Sequence, residues 1–81
     1  MKLKPGVTVK SFLDEIVLIQ GENLVKFNST GRYIVEKVID GLSEPDISLS
    51  VSDEFDISFQ DASGYVKSFL NTLEMQGIIE P

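Results

Sequence analysis

The sequence predicts an α+β domain in which a small antiparallel meander precedes three helices. Three observations lead there. From Val7 to Phe27 the apolar residues are β-branched or aromatic and fall in short runs. From Asn28 onward they recur three and four positions apart behind helix-start signals. The whole is 81 residues, enough for a single domain, 1–81, with one two-layer core.

Val7-Thr8-Val9 with Phe12, then Ile16 to Ile19, then Leu24 to Phe27 read as three short strands. Asp14-Glu15 separates the first two. Gln20-Gly21-Glu22-Asn23 has the length and composition of a tight hairpin turn before the third. That third run is short and reads as an edge strand.

The stretch "FNSTGRYIVEKVIDG", Phe27 to Gly41, switches the period from 2 to 3.6. Asn28, Ser29 or Thr30 can cap the new helix by accepting a hydrogen bond from a free N–H of its first turn. Ile34, Val35, Val38 and Ile39 form one apolar stripe, with Arg32, Glu36, Lys37 and Asp40 on the wet side. Gly31 is expected to reflect close packing at the helix start, and Gly41 to close the helix end in the left-handed conformation. Ser43-Glu44-Pro45-Asp46 is a second start signal, with proline at about the first helical position.

Residues 47–55 admit two readings. Ile47-Ser48-Leu49-Ser50-Val51 alternates as a strand would, whereas Ile47, Val51 and Phe55 make a narrow helical face. The start signal before them favours a short helix. The last segment is plainer: Ser58-Phe59-Gln60-Asp61 fits a capping box, with Ile57 and Ala62 at hydrophobic-staple positions. Val66, Phe69, Leu70 and Leu73 then continue at helical spacing to Gly77 and Ile78-Ile79. A second edge of this helix, Tyr65, Phe69, Thr72 and Gln76, is also partly apolar, more surface than one core stripe requires. Gly64 inside the helix suggests either a close backbone approach or an irregular first turn.

Composition restricts function. With 42% hydrophobic and 25% charged residues and a mean hydropathy of +0.08, the chain reads as globular. No apolar run approaches the ~20 residues of a membrane span, and Met1 to Gly6 lack the apolar centre of a signal peptide. The expectation is a cytoplasmic protein without a membrane partner. Cysteine and histidine are both absent, which removes thiolate nucleophiles, thiolate zinc sites, iron–sulfur ligation and the commonest general base. No catalytic residue, metal site or cofactor is therefore expected. The carboxylates Asp53, Glu54, Asp56 and Asp61 lack the spacing and glycine of a calcium loop and read as solvated surface. A net charge of −6, with 7 basic residues scattered along the chain, argues against nucleic acid as a partner.

The order Phe27-Asn28-Ser29-Thr30-Gly31, a short amphipathic helix, Asp40-Gly41, a second short helix, and Val66-Lys67-Ser68-Phe69-Leu70-Asn71-Thr72-Leu73 ending in Gly77-Ile78-Ile79 resembles the PqqD family. The likeness spans nearly the whole chain. In one place the pattern differs: the family often has an acidic residue immediately before V-x-x-F-L, where this chain has Tyr65. The resemblance implies a winged-helix-like fold and a non-catalytic role in recognising the leader of a ribosomally made precursor peptide. It implies that the leader adds as a strand beside the third strand, here Asn23, Leu24, Val25, Lys26 and Phe27. The cleft would be walled by Tyr65, Phe69, Thr72, Leu73 and Gln76 of the last helix. The bound precursor would then pass to a modifying enzyme or leader peptidase. A chain of this length is most similar to the discrete leader-binding proteins of lasso-peptide pathways. The alternatives are a peptide chaperone of the pyrroloquinoline quinone type serving a radical enzyme, a winged-helix DNA-binding domain, and a self-associating structural protein. The first of the DNA-binding requirements, a basic recognition helix, is unmet by a last helix with Lys67 against Asp61 and Glu74.

Overall fold

Turn chemistry organises the first half of the chain in the computed structural model, which describes residues 1–81. A two-residue strand β1 (Lys2–Leu3) is followed by β2 (Val7–Phe12), β3 (Glu15–Gln20) and β4 (Asn23–Lys26), the last three forming an antiparallel sheet in the order β2-β3-β4. Both hairpins have two-residue turns whose first residue is left-handed, Leu13 (φ 56) and Gly21 (φ 59). Glycine adopts that conformation freely, while leucine there stores strain on the order of 1 kcal/mol.

Two details differ from the sequence reading. Glu15 is paired with Phe12 inside β3, so the turn is Leu13-Asp14 rather than Asp14-Glu15. Phe27 falls outside β4, because the chain leaves the sheet there to place Asn28 in the extended conformation of a helix cap.

Three helices follow: α1 (Ser29–Ile39), α2 (Glu44–Phe55) and α3 (Phe59–Met75). Asn28, Ser43 and Ser58 cap them in turn, accepting hydrogen bonds from the backbone N–H groups of Gly31, Asp46 and Asp61. Residues 47–55 are helical, and burial shows why. A strand would put Ile47, Leu49 and Val51 on one face; the helix buries Ile47 and Val51 and sends Leu49, 55% exposed, to solvent. Ile39, expected in the core stripe of α1, is 44% exposed at the last residue of that helix, and Gly31 joins Ile34, Val35 and Val38 as the buried side instead. The helix through Gly64 is regular, and a Cβ there would meet nothing within 4 Å, so this glycine serves no close approach within the chain.

The sequence reading leaves out one element. A short strand β5 (Ile79–Glu80) pairs with β1, Lys2 opposite Glu80 and Leu3 opposite Ile79. Two-residue strands carry no periodic signal. Lys4 N–H also donates to the Ile78 carbonyl (2.9 Å), which ties the first residues to the end of α3.

One core joins these layers. Leu18 from the sheet packs with Ile34, Val35 and Val38 of α1, Ile47 and Val51 of α2, Ala62, Val66, Leu70 and Leu73 of α3, and Ile78 and Ile79. Val7, Ile16 and Val25 share the inner sheet face with Leu18. The alternate residues Thr8, Lys10, Phe12, Leu24 and Lys26 are exposed on the other face. The architecture is thus α+β and winged-helix-like, an antiparallel meander followed by three helices. No helix is long and apolar enough to cross a membrane.

Candidate peptide-binding groove

β4 is an edge strand: its one neighbour in the sheet is β3. In a two-residue hairpin the residues flanking the turn, Gln20 and Asn23, exchange backbone hydrogen bonds, and the pattern then alternates along the pair. Asn23 and Val25 therefore point their N–H and C=O groups at β3. Leu24 and Lys26 point theirs at the open edge, where they lack a strand to bond.

The open edge runs alongside α3. At the turn end, Gln20, Asn23, Leu24, Val25, Gln76 and Ile78 line a cavity of about 410 Å³. Its floor is held by Gln20, whose Nε2 donates to the Gly77 carbonyl (2.8 Å) and so ties the hairpin to the end of α3. At the other end, the Phe27 and Phe69 rings meet at 5.8 Å between centroids, and Phe69 in turn stacks on Tyr65 at 6.3 Å and 12°. Each such pair contributes ~0.5–1.5 kcal/mol beyond the area it buries.

Gly31 sets the position of this aromatic row. A Cβ there would stand 3.1 Å from Phe69 Cε2 and 3.2 Å from both Phe27 Cβ and Asn28 Oδ1, so the Phe69 ring rests on the bare backbone of the first turn of α1. The close packing expected of Gly31 from sequence is this contact.

The ten residues expected at the site fall into distinct positions. Asn23, Leu24 and Lys26 are exposed on the edge strand; Val25 is half-buried against the core, and Phe27 is half-buried beside Phe69. Tyr65, 43% exposed, half-buried Phe69 and exposed Thr72 and Gln76 follow one another along one side of α3, and of these Gln76 lines the turn-end cavity. The Thr72 hydroxyl donates to the Ser68 carbonyl (3.1 Å), an intrahelical bond. Leu73 is 3% exposed and belongs to the core, so it supports the groove from behind. Two contributors were not anticipated, Gln20 and Ile78. Gln20 sits at a turn flank, where composition signals only the turn itself.

No group of three metal-ligating side chains exists. What the groove offers is backbone hydrogen-bonding groups along one wall and apolar, half-exposed rings along the other. Such a pair of walls can hold an extended peptide.

The fold has solved counterparts. It is similar to a lasso peptide synthetase B1 complexed with the leader peptide, with a TM-score of 0.87 and 24% identity over 99% of this chain and 96% of that one. It is also similar to TbiB1 in complex with the TbiA(beta) leader peptide, with a TM-score of 0.91 and 20% identity over 99% and 95% of the two chains. No curated protein matches the sequence. The family described as Coenzyme PQQ synthesis protein D (PqqD) matches residues 15–79, two of the three meander strands and all three helices, and the chain belongs to the PqqD family.

Proposed function

We propose that this protein is a non-catalytic recognition protein that binds the leader region of a ribosomally made precursor peptide and presents it to a modifying enzyme or leader peptidase. The leader adds as a strand on the open edge of β4, with alternate side chains against Tyr65, Phe69, Thr72 and Gln76. The observation that carries this reading is the juxtaposition of the unpaired edge of β4 with the Tyr65–Phe69 stack, which leaves aromatic surface half wet beside free backbone groups. The two similar structures hold leader peptides, which favours the lasso-peptide type of pathway. The family description favours a second reading, a peptide chaperone in pyrroloquinoline quinone synthesis. Neither nucleic acid nor a membrane is a partner in either case.

The energetics are adequate. Backbone hydrogen bonds of ~1 kcal/mol net each and ~25 cal/mol per Å² of apolar burial, less the ordering of a flexible leader, allow micromolar binding or better. The test is calorimetry with synthetic leader and core halves of a candidate precursor peptide. Leader binding at micromolar or better without core binding is expected, and equal binding of the two halves would overturn the proposal.

A further inference from the structure

The corner between α2 and α3 is built more firmly than a surface loop requires. Asp56 is left-handed (φ 53), and Ser52 clamps the turn from both sides: Ile57 N–H donates to its carbonyl (3.2 Å), and its hydroxyl donates to the Ile57 carbonyl (2.6 Å). The clamped corner holds Phe55 and Ile57 apart over a cavity of about 320 Å³, with Val51 as its floor and Thr30, Asp61 and Tyr65 completing the wall. Phe55 is braced from behind by an edge-on contact with Tyr33 at 5.5 Å. Phe55 and Ile57 remain 37% and 40% exposed. Both side chains line an open space that the chain itself does not fill.

Tyr65 links this cavity to the aromatic row, since it lines the corner and stacks on Phe69. Asp61, Tyr65 and Phe69 succeed one another at four-residue steps, so they form one row along α3. Tyr65 and Gln76 are eleven positions apart. At about 1.5 Å per helical residue and about 3.3 Å per strand residue, that distance spans about five residues of extended peptide. Charge adds a second property. Asp53, Glu54, Asp56 and Asp61 surround the corner, and no lysine or arginine occurs between Lys37 and Lys67. Lys37 lies over the Tyr33 ring at 4.8 Å.

We propose that the α2–α3 corner is a specificity pocket for the bound peptide: it takes one large aliphatic or aromatic side chain, flanked by a lysine or arginine, about five residues along the peptide from the residue seated at the Gln20/Asn23/Gln76 cavity. The inference rests on the peptide-binding reading above and narrows it to a class of leader. Apolar burial against Val51, Phe55 and Ile57 supplies the preference for size, and the surrounding carboxylates supply the preference for a neighbouring positive charge.

The experiment uses a random peptide library displayed on phage, panned against the full chain, against Ile57→Ser, against Asp61→Asn and against Leu13→Ser at the far hairpin tip. The full chain should enrich peptides with a large apolar residue next to Lys or Arg and a second fixed position about five residues away. Ile57→Ser should reduce the apolar preference about tenfold while retaining the second position. Asp61→Asn should weaken the basic preference alone, and Leu13→Ser should leave both intact. Melting curves identify any variant that unfolds, and Ile57→Ser and Asp61→Asn are independent of one another. Enrichment that is the same for the full chain and for both corner variants would overturn the pocket while leaving the groove in place. Failure of the full chain to enrich any peptide would overturn both readings.

Discussion

α3 has two apolar sides that differ in what covers them. Ala62, Val66, Leu70 and Leu73 are buried by the rest of the chain, whereas Tyr65, Phe69, Thr72 and Gln76 stand half or fully exposed beside an unpaired strand edge. Residue type alone does not separate them: Leu70 and Phe69 are adjacent and similarly apolar, yet Leu70 is buried and Phe69 only half-buried. The first side is satisfied once the chain folds. The second keeps exposed surface after folding, and on the proposed reading a bound peptide covers it.

Leu70→Ala should break the core side with the largest effect, a loss of ~2–5 kcal/mol in folding free energy measured by denaturant or thermal melts, because the cavity left in a packed interior refills poorly. Leader affinity per folded molecule should hardly change. Tyr65→Ala should act the other way. Removing a half-exposed aromatic anchor is expected to weaken leader binding by ~1–3 kcal/mol in calorimetry, with a smaller loss of stability from its stack on Phe69. If Tyr65→Ala melts as badly as Leu70→Ala and binds normally once folded, the two sides of α3 do not differ and Tyr65 is core.

Asn28→Ala sharpens the comparison at the base of the groove. Its side chain accepts from Gly31 N–H at 2.8 Å, so its loss should destabilise by ~1 kcal/mol in the same melts. The smallest expected effect has the opposite sign. Gly64→Ala places a methyl group in open space on a regular helix and should stabilise by ~0.5–1 kcal/mol without loss of affinity. A fall in affinity there would mean that the peptide crosses α3 at Gly64 rather than following the row from Tyr65 to Gln76.

Sequence and structure agree most where a signal is long and local. Cap-forming residues mark all three helix starts, at Asn28-Ser29-Thr30, Ser43 and Ser58, because a side-chain oxygen there can accept from a free first-turn N–H, and the structure selects Asn28 from the first set. The start signal at Ser43 also resolved the helix whose alternation imitates a strand. The β1–β5 pairing was illegible for the opposite reason: two residues at each end of the chain meet by tertiary closure alone. At the groove, the exposed second side of α3 was readable as apolar residues in excess of one stripe. The contribution of Gln20 was not, since a long-range bond to Gly77 leaves no trace in its neighbours. Spacing places Ile57 at a hydrophobic-staple position, and in the structure it stays 40% exposed over a cavity.

The central claim is that the open edge of β4 receives the leader, and backbone amide exchange with and without bound leader peptide tests it most directly. The sheet has a second open edge on β2, where by the same alternation Val9 and Ser11 point outward, so the experiment contains its own control. The account predicts that the Leu24 and Lys26 amides become protected on binding while Val9 and Ser11 continue to exchange as in the free protein. Protection of Val9 and Ser11 with Leu24 and Lys26 unchanged, or protection confined to Ile34 to Ile39 of α1, would contradict it.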